Sequence, residues 1–129
     1  MEKMRSYCID SDIIIDYLRG IPKARDFLVE AGDQTTLFIS VVTVMEVYAG
    51  KDTRDTTKRD LIDAFLDGFH IVELPRSLAQ HAGVLRREYG RPFADMVIAA
   101  TAIEYSLILV TRNIRHFRGI KSLEIRQPY

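Results

Sequence analysis

Along this chain the apolar positions alternate between the period of about two that marks a strand and the period of about 3.6 that marks a helix. The first switch lies at Tyr7-Cys8-Ile9-Asp10-Ser11-Asp12, where a short apolar run ends on an acid and apolar residues then recur at Ile13, Ile14, Tyr17 and Leu18. This predicts a strand, a tight turn and a helix, with Ser11 or Asp12 as the helix cap. Arg19-Gly20-Ile21-Pro22 closes that helix and offers Pro22 as the start of a second, which carries Ala24, Phe27, Leu28 and Ala31 on one face and is expected to stop at Gly32. Leu37 to Val42 predicts a strand, and Thr43 is expected to turn it into a helix running through Tyr48 to Gly50. Lys51 to Arg59 is polar and charge-mixed, a solvated loop or frayed helix start, before a helix with Leu61, Ile62, Phe65 and Leu66 inward. His70 to Leu74 predicts a brief strand. Pro75 opens a helix with Leu78, Ala82, Leu85 and Tyr89 on its inner stripe, and Pro92 opens another from Phe93 to Tyr105. The continuous apolar run Leu107 to Val110 fits a strand covered on both faces, and Leu123 to Ile125 is a last weak strand.

Repeated strand–helix alternation predicts an α/β fold, a three-layer α/β/α sandwich with a mostly parallel central sheet. The chain has 129 residues, enough for one domain, 1–129, with one sizeable core system. Its formal net charge is zero, so no global field draws it to nucleic acid and an anionic ligand must be recognised locally. Cys8, the single cysteine, has no partner for an internal disulfide and is expected to be a buried thiol. The charged start, Met1 to Ser6, leads into no long apolar segment. Neither a signal peptide nor a membrane span is therefore expected, and a cytoplasmic location is the default.

In a parallel α/β sheet the carboxyl ends of strands and the amino ends of crossover helices share one edge, where ligands bind. Asp10 ends the first strand, Glu46 is expected in the first turn after the second, Asp95 in the first turn of the helix entering the Leu107 strand, and Asn113 follows that strand. Each acid has a purely structural explanation. Thr43-Val44-Met45-Glu46 matches a capping box, while Asp12 and Asp95 can complement a helix dipole. The chemical reading rests on their convergence: like charges gathered at one edge call for a cation, and an oxygen-only set suits Mg²⁺ or Mn²⁺.

Four stretches carry a resemblance. Tyr7-Cys8-Ile9-Asp10-Ser11-Asp12, Ile39-Ser40-Val41-Val42-Thr43-Val44-Met45-Glu46, Ala94-Asp95-Met96-Val97-Ile98-Ala99-Ala100-Thr101-Ala102 and Leu109-Val110-Thr111-Arg112-Asn113-Ile114-Arg115-His116-Phe117 resemble, in order, the signature blocks of the PIN domain, and most of all its VapC-type toxin ribonucleases. The resemblance implies a metal-dependent endoribonuclease restrained by an antitoxin protein, with Asp10, Glu46 and Asp95 as metal-binding catalytic acids and Thr111 as a supporting hydroxyl. A homodimer is expected from the high apolar content together with the resemblance, and an antitoxin-binding groove is expected beside the acidic crevice, formed by the Ile13–Leu18 helix and the helix from Thr43. Two departures stand out. Asn113 and His116 occupy positions where many members carry acids, and Asp12 stands where a neutral Asn or Ser is commoner, so that it can supply the missing charge. The alternative is a catalytically decayed PIN-like module acting in RNA or protein binding.

Arg112 and Arg115, with Arg118 and Lys121, follow the acidic edge and can contact RNA phosphates or simply form a solvated surface; Arg86, Arg87 and Arg91 are similar. His70 and His81 lack ligand spacing. A phosphoacceptor receiver domain would need an Asp ending the third strand and a Lys ending the fifth, and neither is present.

Overall fold

A computed structural model describes residues 5–129. Met1 to Met4, most of the charged start on which the leader expectation rests, lie outside the described residues. Five strands form the sheet: β1 (Tyr7–Ile9), β2 (Leu37–Ser40), β3 (His70–Val72), β4 (Ile108–Val110) and β5 (Ile125–Arg126), in the order β3-β2-β1-β4-β5. Every neighbouring pair is parallel, so the sheet is wholly rather than mostly parallel. Tyr7 faces Leu37 on one side and Ile108 on the other, which fixes the register of the centre.

Alternation along the strands divides the core in two. Tyr7, Ile9, Ile39 and Val110 pack with Ile13 and Ile14 of α1 (Ser11–Leu18), Leu28 of α2 (Pro22–Gln34), Val47 of α3 (Val41–Tyr48) and Ile62 and Leu66 of α4 (Thr56–Leu66). Cys8 and Leu109 point the other way, into Leu78, Ala82 and Leu85 of α5 (Arg76–Tyr89), Met96 to Ala102 of α6 (Phe93–Glu104) and Phe117 of α7 (Ile114–Phe117). From β1 the chain first builds outward through β2 to β3, then crosses back to β4 and β5. Because parallel crossovers are right-handed, reversing direction moves the connecting helices to the opposite face. The reversal leaves a topological switch point between β1 and β4, at whose carboxyl edge a crevice opens.

Several local expectations change. The second helix runs past Gly32 to Gln34. β2 ends at Ser40, whose hydroxyl accepts from the Val42 amide and caps α3; Thr43 is therefore inside the helix, the capping box does not form, and Glu46 lies in the second turn. Asp10 itself caps α1, so neither Ser11 nor Asp12 does. Leu61 is 67% exposed, because Ile62 and Leu66 already turn the buried stripe of α4 inward. Lys51–Arg54 forms a 3₁₀ turn ahead of α4, Tyr105 caps α6 rather than extending it, and the last strand is shifted to Ile125–Arg126. Gly90 ends α5 in the left-handed region, φ 67°, where a side chain would be strained. Burial pushes the Cys8 thiol up to about 12, with Asp10 adding to the shift, which makes it unreactive. Among the described residues no helix is long and apolar enough to cross a membrane.

Candidate active site

Asp10 leaves β1 at the switch point and is only 4% exposed. Its backbone amide continues the sheet by donating to Val110 O at 2.9 Å. Its side chain is gripped on both oxygens: Oδ1 accepts from the Ser11 amide at 2.7 Å, and Oδ2 from the Thr111 hydroxyl at 2.7 Å. Thr111, fully buried just beyond β4, in turn accepts from the Asn113 amide at 2.9 Å. One hydroxyl thereby joins the first and fourth strands at their carboxyl ends. Burial above all, and the Asp12 charge after it, push the Asp10 carboxyl up to about 7; the Thr111 and Ser11 donors pull against that, and Asp95 adds a smaller push.

Glu46 reaches the same edge from α3. Its Oε1 accepts from the Ser11 hydroxyl at 2.8 Å, and Ser11 Oγ lies 2.9 Å from Thr43 Oγ1. Ser11 has one hydrogen, committed to the carboxylate, so Thr43 donates to Ser11 and the polar chain runs Thr43 to Ser11 to Glu46. This explains a fully buried Thr43 inside a helix. Sequence reading missed Ser11, since nothing in its local pattern distinguishes a linker between α1 and α3 from a cap.

Asp95, in the first turn of α6, has its Oδ2 2.6 Å from His116 Nδ1. The Asn113 side-chain amide lies 2.7 Å from the same ring nitrogen. One ring nitrogen carries either a proton or a lone pair; if it donates to Asp95, Asn113 must turn its amide oxygen inward. His116 is thus brought to Asp95 and Asn113 to His116, a contact that spacing along the sequence does not show.

Asp12, at the second position of α1, accepts through Oδ2 from the Arg112 amide at 3.0 Å. Its Oδ1 is buried without a hydrogen-bond partner, and burial above all raises its pKa. The Arg112 guanidinium turns instead to Asp16, with Nη1 2.9 Å from Oδ2, and stacks against the Tyr129 ring at 5.1 Å. Arg115 is exposed. Arg86 and Arg91 are engaged structurally, donating to Arg91 O and to the carbonyls of His116 and Arg118. His81 pairs with Glu104, and His70 packs against Phe38.

Asp12 and Asp95 lie near enough to Asp10 to act on its charge, and Glu46 is tied to the same edge through Ser11. Among the described residues no three acidic, histidine or cysteine side chains are grouped so that they could hold a metal ion as they stand. Glu46 is turned to Ser11 and Asp95 to His116. The donor chemistry nevertheless fits a hard divalent ion. Asp10 keeps a free lone pair on each bonded oxygen, and the orphaned Asp12 oxygen calls for a cation. Beside the crevice, a cleft of about 260 Å³ between α1 and α3 is lined by Ile15, Leu18, Glu46, Val47 and Ile62, with Arg19, Lys51 and Asp52 at its rim.

The model of the PIN domain matches residues 7–122. The chain belongs to the PIN domain family. Within it the chain groups with the VapC-type toxin ribonucleases, as three relatives show. It is 36% identical over 121 residues to Ribonuclease VapC10 of Mycobacterium tuberculosis, covering 90% of this chain and 89% of that one. It is 30% identical over 129 residues to the tRNA(fMet)-specific endonuclease VapC of Shigella flexneri, covering 93% and 96%. Among solved structures, a toxin–antitoxin complex from Klebsiella pneumoniae superposes with a TM-score of 0.82 at 30% identity, over 95% of this PIN domain and 98% of that chain. The four acids lie within the matched PIN region.

Proposed function

We propose that this PIN domain cleaves RNA in a metal-dependent reaction in which Asp10, Glu46 and Asp95 hold Mg²⁺ or Mn²⁺, and that a cognate antitoxin restrains it. The observation that carries this reading is the doubly gripped, buried Asp10 carboxylate at the β1–β4 switch point, with Asp12 and Asp95 near enough to raise its pKa. Such an arrangement is costly for the chain alone and is relieved by a cation. When bound, the ion supplies a Lewis acid that activates water and neutralises charge on the scissile phosphate. The protein's part is positioning. Ser11 and Thr111 set the orientation of Asp10, Ser11 also orients Glu46, and His116 orients Asp95, which would help hold the ion. Arg112 and Arg115 flank the edge where an RNA backbone would pass, and each would add a phosphate contact. A tRNA is a reasonable substrate class, since the Shigella flexneri relative is named for one. An RNA substrate also agrees with a cytoplasmic location.

Cleavage of a mixed RNA pool, measured with Mg²⁺, with EDTA, and for Asp95→Asn and Glu46→Gln beside thermal stability, tests the reading. Both variants are expected to stay folded and lose cleavage. Activity that survives EDTA, or folded variants that cut at the parent rate, would overturn it. An inactive parent whose Asn113→Asp variant gains cleavage would instead support the binding-module alternative.

The α1–α3 cleft suits an antitoxin segment that lays apolar side chains against Ile15, Leu18, Val47 and Ile62 and brings an Arg to Asp10 and Asp95 in place of metal. A copurified antitoxin should protect both helices from hydrogen exchange. A homodimer through a symmetric helix contact is expected from the family resemblance. A monomeric mass by light scattering at micromolar protein would count against it.

A further inference from the structure

Of the carboxylate oxygens shielded from solvent in this crevice, those of Asp10 have donors. Asp12 Oδ1 has none, and it is the one buried side-chain polar atom so placed among the described residues. The position is imposed rather than incidental. The Arg112 amide, arriving from the exit of β4, clamps the other oxygen at 3.0 Å and so holds the carboxylate in a rotamer that keeps Oδ1 away from water. The nearest guanidinium, that of Arg112, is committed to Asp16. A helix dipole would explain an acid in the first turn of α1, but it would be served equally well by an exposed rotamer with both oxygens hydrated. A carboxylate oxygen shielded from solvent and without a hydrogen-bond donor from the chain is an unmet demand for positive charge.

We propose that Asp12 Oδ1 contacts the divalent ion held by Asp10 and Asp95, so that a further acid of this metal site comes from the first turn of α1 and not from the Asn113–His116 corner, where the two side chains bond each other and His116 bonds Asp95. The proposal rests on the metal-nuclease reading and adds a ligand to it. Charge count and ligand number govern affinity for hard cations. Losing one carboxylate from the set is expected to weaken ion binding by roughly 10- to 100-fold, the range seen when groups that support a metal site are removed.

The test uses the full chain without RNA. Mn²⁺ binding is measured by calorimetry and by the loss of the free-ion electron paramagnetic resonance signal, for the parent, Asp12→Asn and Asp12→Ser. Asn retains an acceptor for the Arg112 amide while removing the charge, and Ser is a second small residue suited to a helix start. The expected result is a Kd for Mn²⁺ raised 10-fold or more, with the metal-free melting temperature held or increased. A parent-like Kd in folded variants would overturn the proposal and leave the Asp10–Asp95 reading standing. Failure of the parent itself to bind Mn²⁺ would overturn both.

Direct contact is read separately in Asp12→Cys. Cd²⁺ bound beside a thiolate gives an ultraviolet sulfur-to-metal band, since thiolates are soft ligands, and the native Cys8 is fully buried and silent. The band should appear on Cd²⁺ addition. Cd²⁺ bound without it would show that Asp12 is not a ligand and overturn the proposal.

Discussion

The metal-free protein should lose stability as pH rises, and Asp10 sets the sign. Burial first and the Asp12 charge second carry its carboxyl from 3.8 to about 7, so between those values the folded chain keeps a proton that the unfolded chain has released. Stability increases with pH only where the unfolded state binds more protons. Here the folded state binds more, and the slope is negative. Below 3.8 both states are protonated and Asp10 costs nothing; the penalty grows through the window to about 7 and is constant above it. A displacement of this size corresponds to roughly 4 kcal/mol, a large part of the ~5–15 kcal/mol that stabilises a domain. Asp12, also pushed up chiefly by burial, acts in the same direction. Urea unfolding followed by circular dichroism, from about pH 5 to about pH 8 in EDTA, measures the slope. Asp10→Asn, which still caps α1, should flatten it markedly. Mg²⁺ should stabilise the parent more at the alkaline end, because metal ligands bind deprotonated. Equal slopes for parent and Asp10→Asn, or a Mg²⁺ effect larger at acid pH, would refute the reasoning.

Thr111→Val removes a fully buried hydroxyl that donates to Asp10 and accepts from the Asn113 amide; denaturation at neutral pH should show a loss of about 1–3 kcal/mol, with cleavage reduced in parallel. Arg112→Ala breaks an ion pair whose side chains are 49% and 15% exposed, so stability should fall by less than about 1 kcal/mol. If Arg112 contacts a phosphate, RNA affinity should fall across sequences and the salt dependence of binding should shrink by about one charge. Phe117→Ala empties a fully buried position on the α5–α6 face and should cost about 3–5 kcal/mol in thermal or urea unfolding.

Local patterning was enough for the order of elements and for placing Asp10 and Asp95 at the carboxyl edge of the sheet. A strand or helix is set by the period of its own apolar residues, and a carboxylate ending an apolar strand, as Asp10 does, has few structural uses. Crossover handedness then brings Asp10, Glu46, Asp95 and Thr111 to one edge without any long-range information. What the chain could not state locally are choices between near-equivalent neighbours. Ser40 and Thr43 are both good caps; Ser40 wins because the Thr43 hydroxyl is satisfied by Ser11, across the α1–α3 packing. Leu61 and Ile62 are both apolar, and only the tilt of α4 over the sheet decides that Leu61 faces solvent. The contact of His116 with Asp95 depends on where the β4–α7 turn lies against the start of α6, a distance no spacing encodes. Asp12 is the clearest case: in sequence it is a first-turn acid, and only the Arg112 amide, 100 residues further along the chain, leaves its second oxygen buried and unpaired.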